Sequence, residues 1–97
     1  MIEIFQGNVL NIPVTIMEDN KIKDLTGLQV RAGIKRMSDN TLFTVNCTIE
    51  GDTVLVPITS DITSTLGLYV VEIQIYGNGY VETWGTFAFR VIDSVFV

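Results

Sequence analysis

The chain has 97 residues, 47% of them hydrophobic, a formal charge of −5, no histidine and one cysteine. Residues 1–97 therefore make a single domain, able to bury roughly two-thirds of its unfolded surface without staples. The acidic balance speaks against a nucleic-acid partner, and the missing histidine removes the commonest general base and metal ligand. Lone Cys47 cannot close an intrachain disulfide, so nothing points to an oxidising compartment.

Ile2, Ile4 and Phe5 predict a short first strand, ended by Gln6-Gly7-Asn8. This N-terminus lacks the basic and long apolar regions of a secretory signal, so the expectation is a chain made and used without classical secretion. No apolar run approaches membrane-spanning length, and no membrane partner is expected. Leu10, Ile12, Val14 and Ile16 alternate with polar positions and predict a second strand. Pro13 cannot donate to a ladder, so this part of the strand is an edge or faces its missing donor outward. Glu18-Asp19-Asn20-Lys21 is a turn, and Ile22 to Gly27 is a connector with Leu25 as its buried residue.

The next strand directs Leu28, Val30, Ala32 and Ile34 inward and Gln29, Arg31 and Lys35 outward. With Arg36, the outward bases form the only basic cluster, which reads as a solvated strand face. Phe43, Val45, Cys47 and Ile49 then alternate as buried positions, followed by Val54, Val56 and Ile58. Cys47 is read as a small hydrophobe. Asn46-Cys47-Thr48 matches a glycosylation acceptor, a pattern short enough to arise by chance. Thr59 to Leu66 is polar and leads into Gly67-Leu68-Tyr69. A tyrosine opening a long strand after such a crossover predicts a tyrosine corner, its hydroxyl bonded to backbone within Asp61 to Leu66.

The strongest local signal is a hairpin running from Gly67 through Gly77-Asn78-Gly79 to Val91. Tyr69, Val71, Ile73 and Ile75 recur at every second residue and predict its buried face. A three-residue loop pairs Tyr76 with Tyr80 and Tyr69 with Phe87, and turns Tyr76, Tyr80, Glu82, Trp84, Thr86 and Arg90 outward. A two-residue loop sets Glu82 against Ile75, and burial of an unpaired carboxylate argues against it. Gly85 is where a bulge would shift the phase. The whole pattern predicts an all-β, antiparallel β-sandwich.

No catalytic constellation emerges. Glu50 with Asp52, or Asp61 with Asp24, lie in turns, and no calcium-loop spacing or phosphate-cradling glycine loop is present. The expectation is a protein that is not an enzyme and takes no cofactor or metal. What remains is contact. Tyr76, Tyr80 and Trp84 are the predicted aromatic partner-binding residues, weighed against plain cross-strand stabilisation. Ile92, Val95 and Phe96, with Val97, make an apolar tail that calls for a cover: the same domain, another copy or a further segment.

The order of these signals resembles the N-terminal immunoglobulin-like domain of phage baseplate upper proteins. The matching residues are Gln6-Gly7-Asn8 and Val14-Thr15-Ile16, then Asp24-Leu25-Thr26-Gly27 before Val30, and Ile34-Lys35 ahead of an Asp-Asn turn. They continue with Asp61 before Gly67-Leu68-Tyr69-Val70-Val71-Glu72, and Gly77-Asn78-Gly79 before Phe89-Arg90-Val91. The resemblance implies an immunoglobulin-like fold and a structural virion component. That component would be assembled in the host cytoplasm and would dock a fibre or receptor-binding assembly onto other tail and baseplate proteins of a phage or prophage. It also implies a homo-oligomer, in that family a trimer. A carbohydrate-binding or adhesin-type module is the alternative, with Tyr76, Tyr80 and Trp84 as its aromatic platform.

Overall fold

The alternating segments form ten strands and one helical turn in a computed structural model that describes residues 1–97. They are β1 (Ile2–Phe5), β2 (Leu10–Val14), β3 (Met17–Glu18), β4 (Lys21–Ile22), β5 (Gln29–Arg36), β6 (Leu42–Asn46) and β7 (Thr48–Glu50). After these come β8 (Thr53–Ile58), α1 (Ser60–Thr63), β9 (Gly67–Gly77) and β10 (Tyr80–Ile92). A five-stranded sheet in the order β1-β10-β9-β5-β6 faces a three-stranded sheet in the order β2-β8-β7, and β3 with β4 makes a small separate ribbon. All pairings are antiparallel except β1 with β10.

This is the strand order of an immunoglobulin-like sandwich. β2, β8 and β7 stand where that fold has B, E and D, and β6, β5, β9 and β10 stand where it has C′, C, F and G. As Pro13 requires, β2 is an edge strand. Period-two alternation puts Val30, Ala32 and Ile34 of β5 and Tyr69, Val71, Ile73 and Ile75 of β9 on one inner face. Ile12, Val54, Val56 and Ile58 of the smaller sheet pack against them.

Phe43, Val45, Cys47 and Ile49 are half-buried rather than fully enclosed. The reason is topological. β6 is an edge of the larger sheet and β7 an edge of the smaller one, so the chain crosses between sheets at Cys47 along the open side of the sandwich. Leu10, another expected core residue, is exposed at the start of its edge strand.

The tyrosine corner forms where the crossover enters β9. Tyr69 is fully buried, with its ring stacked on Phe89 at a centroid distance of 5.0 Å. Its hydroxyl hydrogen is shared between the carbonyl oxygens of Ile62 (2.8 Å) and Thr65 (2.6 Å), and the hydroxyl oxygen accepts from Arg36 Nε at 3.1 Å. One side chain thus holds the single-turn helix α1 and the following turn against the sheet. Thr63, also fully buried, extends this anchorage by donating its hydroxyl to the Asn8 carbonyl at 2.9 Å.

Chemical unfolding of two variants separates the ring from its hydroxyl. Tyr69→Ala is expected to lose about 3–5 kcal/mol through the cavity it leaves. Tyr69→Phe should lose only about 1–2 kcal/mol, for one buried hydrogen-bonding group. A Tyr69→Phe variant as stable as the wild type would mean that the hydroxyl does not anchor the corner.

Candidate interaction surface

The long β9–β10 ribbon decides which aromatic side chains are available for contact. Tyr80 pairs with Gly77, Val81 with Tyr76, and Glu82 with Ile75, so the loop is the two-residue turn Asn78-Gly79. The expected three-residue loop is therefore wrong, and the backbone supplies the reason. Asn78 (φ 54°) and Gly79 (φ 75°) are both left-handed, as the tight hairpin turn that matches strand twist requires. Glu82 does shares a face with Ile75, yet its carboxylate remains exposed and accepts a hydrogen bond from the Tyr80 hydroxyl. No charge is buried in this register, because β1 pairs β10 only from Phe89 to Ile92 and leaves Glu82 on a free edge of the sheet.

A bulge restores the core phase. Thr83 pairs with Gln74 and Thr86 with Glu72, leaving Trp84 and Gly85 together opposite Ile73. Gly85 sits at φ 119°, a conformation that side-chain-bearing residues rarely adopt. Even-numbered residues face inward before the bulge and odd-numbered ones after it. Phe89 accordingly meets Tyr69, the position expected for Phe87, and Phe87 is half-buried at the rim of the core.

The predicted aromatic set is therefore split. Tyr76 keeps its outward place: its hydroxyl donates to Gln29 at 2.9 Å, and the Arg31 guanidinium lies 4.6 Å from its ring centre. Thr86 and Arg90 also remain outward. Tyr80 and Trp84 instead turn to the inner side of the ribbon, where the Lys23 ammonium is 4.7 Å from the Trp84 ring centre. Lys23 also pairs with Glu18 at 3.3 Å. Trp84 is half-buried, and its indole Nε1 is buried with no hydrogen-bond acceptor. No shared platform of Tyr76, Tyr80 and Trp84 exists on this domain. The basic cluster divides as well, since Arg36 is held by the Tyr69 hydroxyl and by Asp39 at 2.9 Å, while Arg31 donates to Gln74 across the outer face.

The apolar tail gathers at the opposite end of the ribbon. Ile92 is half-buried and pairs with Phe5 of β1, which is 53% exposed. Beyond it the chain turns at Ser94, whose hydroxyl and carbonyl accept from the amides of Phe96 and Val97. Val95 and Phe96 are 96% and 94% exposed. Together with Phe5 they border a cleft of about 350 Å³ that Asn8, Asp93 and Ser94 complete. Val97 folds back toward Gly7, and the Gly7 amide donates to Thr63, so this apolar pole lies beside the tyrosine corner.

No group of three or more His, Cys, Asp or Glu side chains converges on a point where a metal ion could sit. No helix is long and apolar enough to cross a membrane. Burial pushes the Cys47 thiol up to about 11. Neither a known protein-family model nor a curated protein matches the chain.

Two measurements check this geometry. Gly85→Ala adds a methyl into open space, so any loss is backbone strain, about 1–3 kcal/mol in urea unfolding. Gly33→Ala, where no positive φ is required and Leu42 Cδ1 would lie 3.8 Å away, is expected to be neutral or stabilising by up to about 1 kcal/mol. Equal losses would remove the bulge as the phasing element. For Cys47, alkylation of the folded protein at pH 8 should be far slower than in denaturant and should accelerate only as the pH approaches 11. Rates already equal at pH 8 would contradict its burial.

Proposed function

We propose that this domain is a structural component of a phage or prophage virion, a docking module that fastens a fibre or receptor-binding assembly to other tail or baseplate proteins. The observation that carries the reading is the apolar pole. Phe5, Val95 and Phe96 stand exposed together at one end of a sandwich whose core is already complete without them. Contiguous apolar surface of this kind marks a site of contact. The immunoglobulin-like strand order agrees with the fold that the resemblance to baseplate upper proteins implies. The rigid corner under the pole, tied by Tyr69 and Thr63, supports the same reading. A docking surface works best on backbone that does not have to order itself on binding.

In this role the domain performs no chemistry. Its apolar pole seats in a complementary recess of a neighbouring tail protein, and the remaining surface stays in water. The carbohydrate-binding alternative has less support, because the aromatic residues it would use lie on two different faces.

The test is made on assembled particles. Purified virions from the host lineage, labelled with gold-conjugated antibody to this domain, should carry label at the tail tip in electron micrographs. Substituting Val95 and Phe96 together by Asp should reduce incorporation at least tenfold while leaving the thermal midpoint of the isolated domain unchanged. Virions without label would overturn the virion reading. Undiminished incorporation of the double variant would overturn the pole as its docking surface.

A further inference from the structure

We propose that the free edge of β6 joins two copies of this chain, antiparallel and about a two-fold axis that passes through Thr44. The two sheets end on four edge strands, β1, β6, β2 and β7, and β10 is also free before Phe89. On β10, exposed Glu82 and the Trp84-Gly85 bulge discourage pairing, and three of the four edge strands carry such features too. β2 contains Pro13, β7 is three residues long and ends on Glu50, and β1 is four residues long and carries exposed Glu3. β6 has the sequence Leu-Phe-Thr-Val-Asn, with no charge, no proline and no bulge.

The free backbone groups of β6 follow from its pairing with β5. The Arg36 amide donates to the Thr41 carbonyl and the Cys47 amide to the Val30 carbonyl, each at 2.9 Å. Bonding in an antiparallel ladder alternates along the strand. Phe43 and Val45 are in step with Thr41 and Cys47 and bond β5, and Leu42, Thr44 and Asn46 direct their N–H and C=O groups away from the sheet.

That spacing is self-complementary. Centred on Thr44, a second β6 sets Leu42 opposite Asn46 of the second copy, Thr44 opposite its own equivalent, and Asn46 opposite Leu42 of the second copy. Every residue in those pairs presents free backbone groups, so each pair exchanges two hydrogen bonds. On the outer face threonine meets threonine, and on the inner face Phe43 meets Val45 of the second copy. Both are favourable cross-strand combinations. Phe43 and Val45 are half-buried and Leu42 is 65% exposed, so the apolar rim has surface left for a neighbour to cover. Both copies are acidic overall, yet no charged side chain lies on the joining strands. An isologous contact of this kind closes on itself and yields a dimer, not a filament. A five-residue edge buries less than a standard stable interface, so the dimer is concentration-dependent. The pairing uses a different part of the sandwich from the apolar pole and does not depend on the docking role.

Sedimentation velocity over a concentration series up to about 1 mM provides the test. The wild-type chain should shift from the mass of one protomer to that of two. Thr44→Pro removes an outward N–H while leaving the bonds to β5 in place, and should stay monomeric with an unchanged circular dichroism spectrum. Thr44→Cys should form a disulfide-linked dimer under mild oxidation at least tenfold faster than Asp61→Cys. Bonded antiparallel residues have Cα atoms about 5.5 Å apart, within disulfide reach. A wild-type chain that remains one protomer at the highest concentration overturns the proposal, as does undiminished association of a folded Thr44→Pro variant. Should Thr44→Pro not fold, cross-linking of Thr44→Cys no faster than that of Asp61→Cys overturns it.

Discussion

The phase of the β9–β10 ribbon is the constraint on which the rest of the structure depends. Side chains alternate strictly along a strand, so a single-residue slip exchanges the core face for the solvent face. Asn78 and Gly79 set one phase at the tip through their left-handed backbone, and the Trp84-Gly85 bulge changes it opposite Ile73. Without the bulge, the inward run that starts with Tyr80, Glu82 and Trp84 would continue to Thr86, Ala88 and Arg90. With it, Phe87, Phe89 and Val91 face the smaller sheet, and Phe89 can stack on Tyr69. The tyrosine corner is therefore a consequence of ribbon phase as well as of its own hydrogen bonds. Bulges are designed features in this sense: they re-aim side chains that a straight ladder would misplace.

Ribbon phase also distributes function over the surface. The phase set by the Asn78-Gly79 turn folds Trp84 under Lys23, so the largest aromatic side chain helps to close the domain. The contact surfaces that remain are elsewhere: the apolar pole at the far end of the ribbon and the uncharged edge of β6. These differ in physical character. The pole presents side chains with little backbone to satisfy, which suits a recess in a partner. The β6 edge presents unpaired N–H and C=O groups in a fixed register, which suits another strand. A domain with both can pair with itself and dock onto a neighbour without competition between the two contacts.

Much of the fold was legible in the residues alone, because the signals involved are local. Period-two alternation marked the inner face of β9, Pro13 marked an edge, and the placement of Tyr69 after a polar crossover marked the corner down to the stretch that receives its hydroxyl. Those features depend on the geometry of single strands and on backbone chemistry within a few residues. The exposed state of Val95 and Phe96 was likewise readable as an apolar surplus beyond the last core position.

Tertiary structure alone decided the rest. Whether Glu82 could oppose Ile75 without losing its water depended on where β1 pairs β10, a relation between strands remote in sequence. The two-residue turn puts Trp84 on the inner side, but its cover is the Lys23 segment, and the sequence spacing contains no sign of that approach. The half-burial of Phe43, Val45, Cys47 and Ile49 followed from β6 and β7 lying at the edges of different sheets, which alternation cannot distinguish from a central place. Sequence periodicity reports which side chains share a face; it does not report what lies across from that face, and burial is set by what lies across.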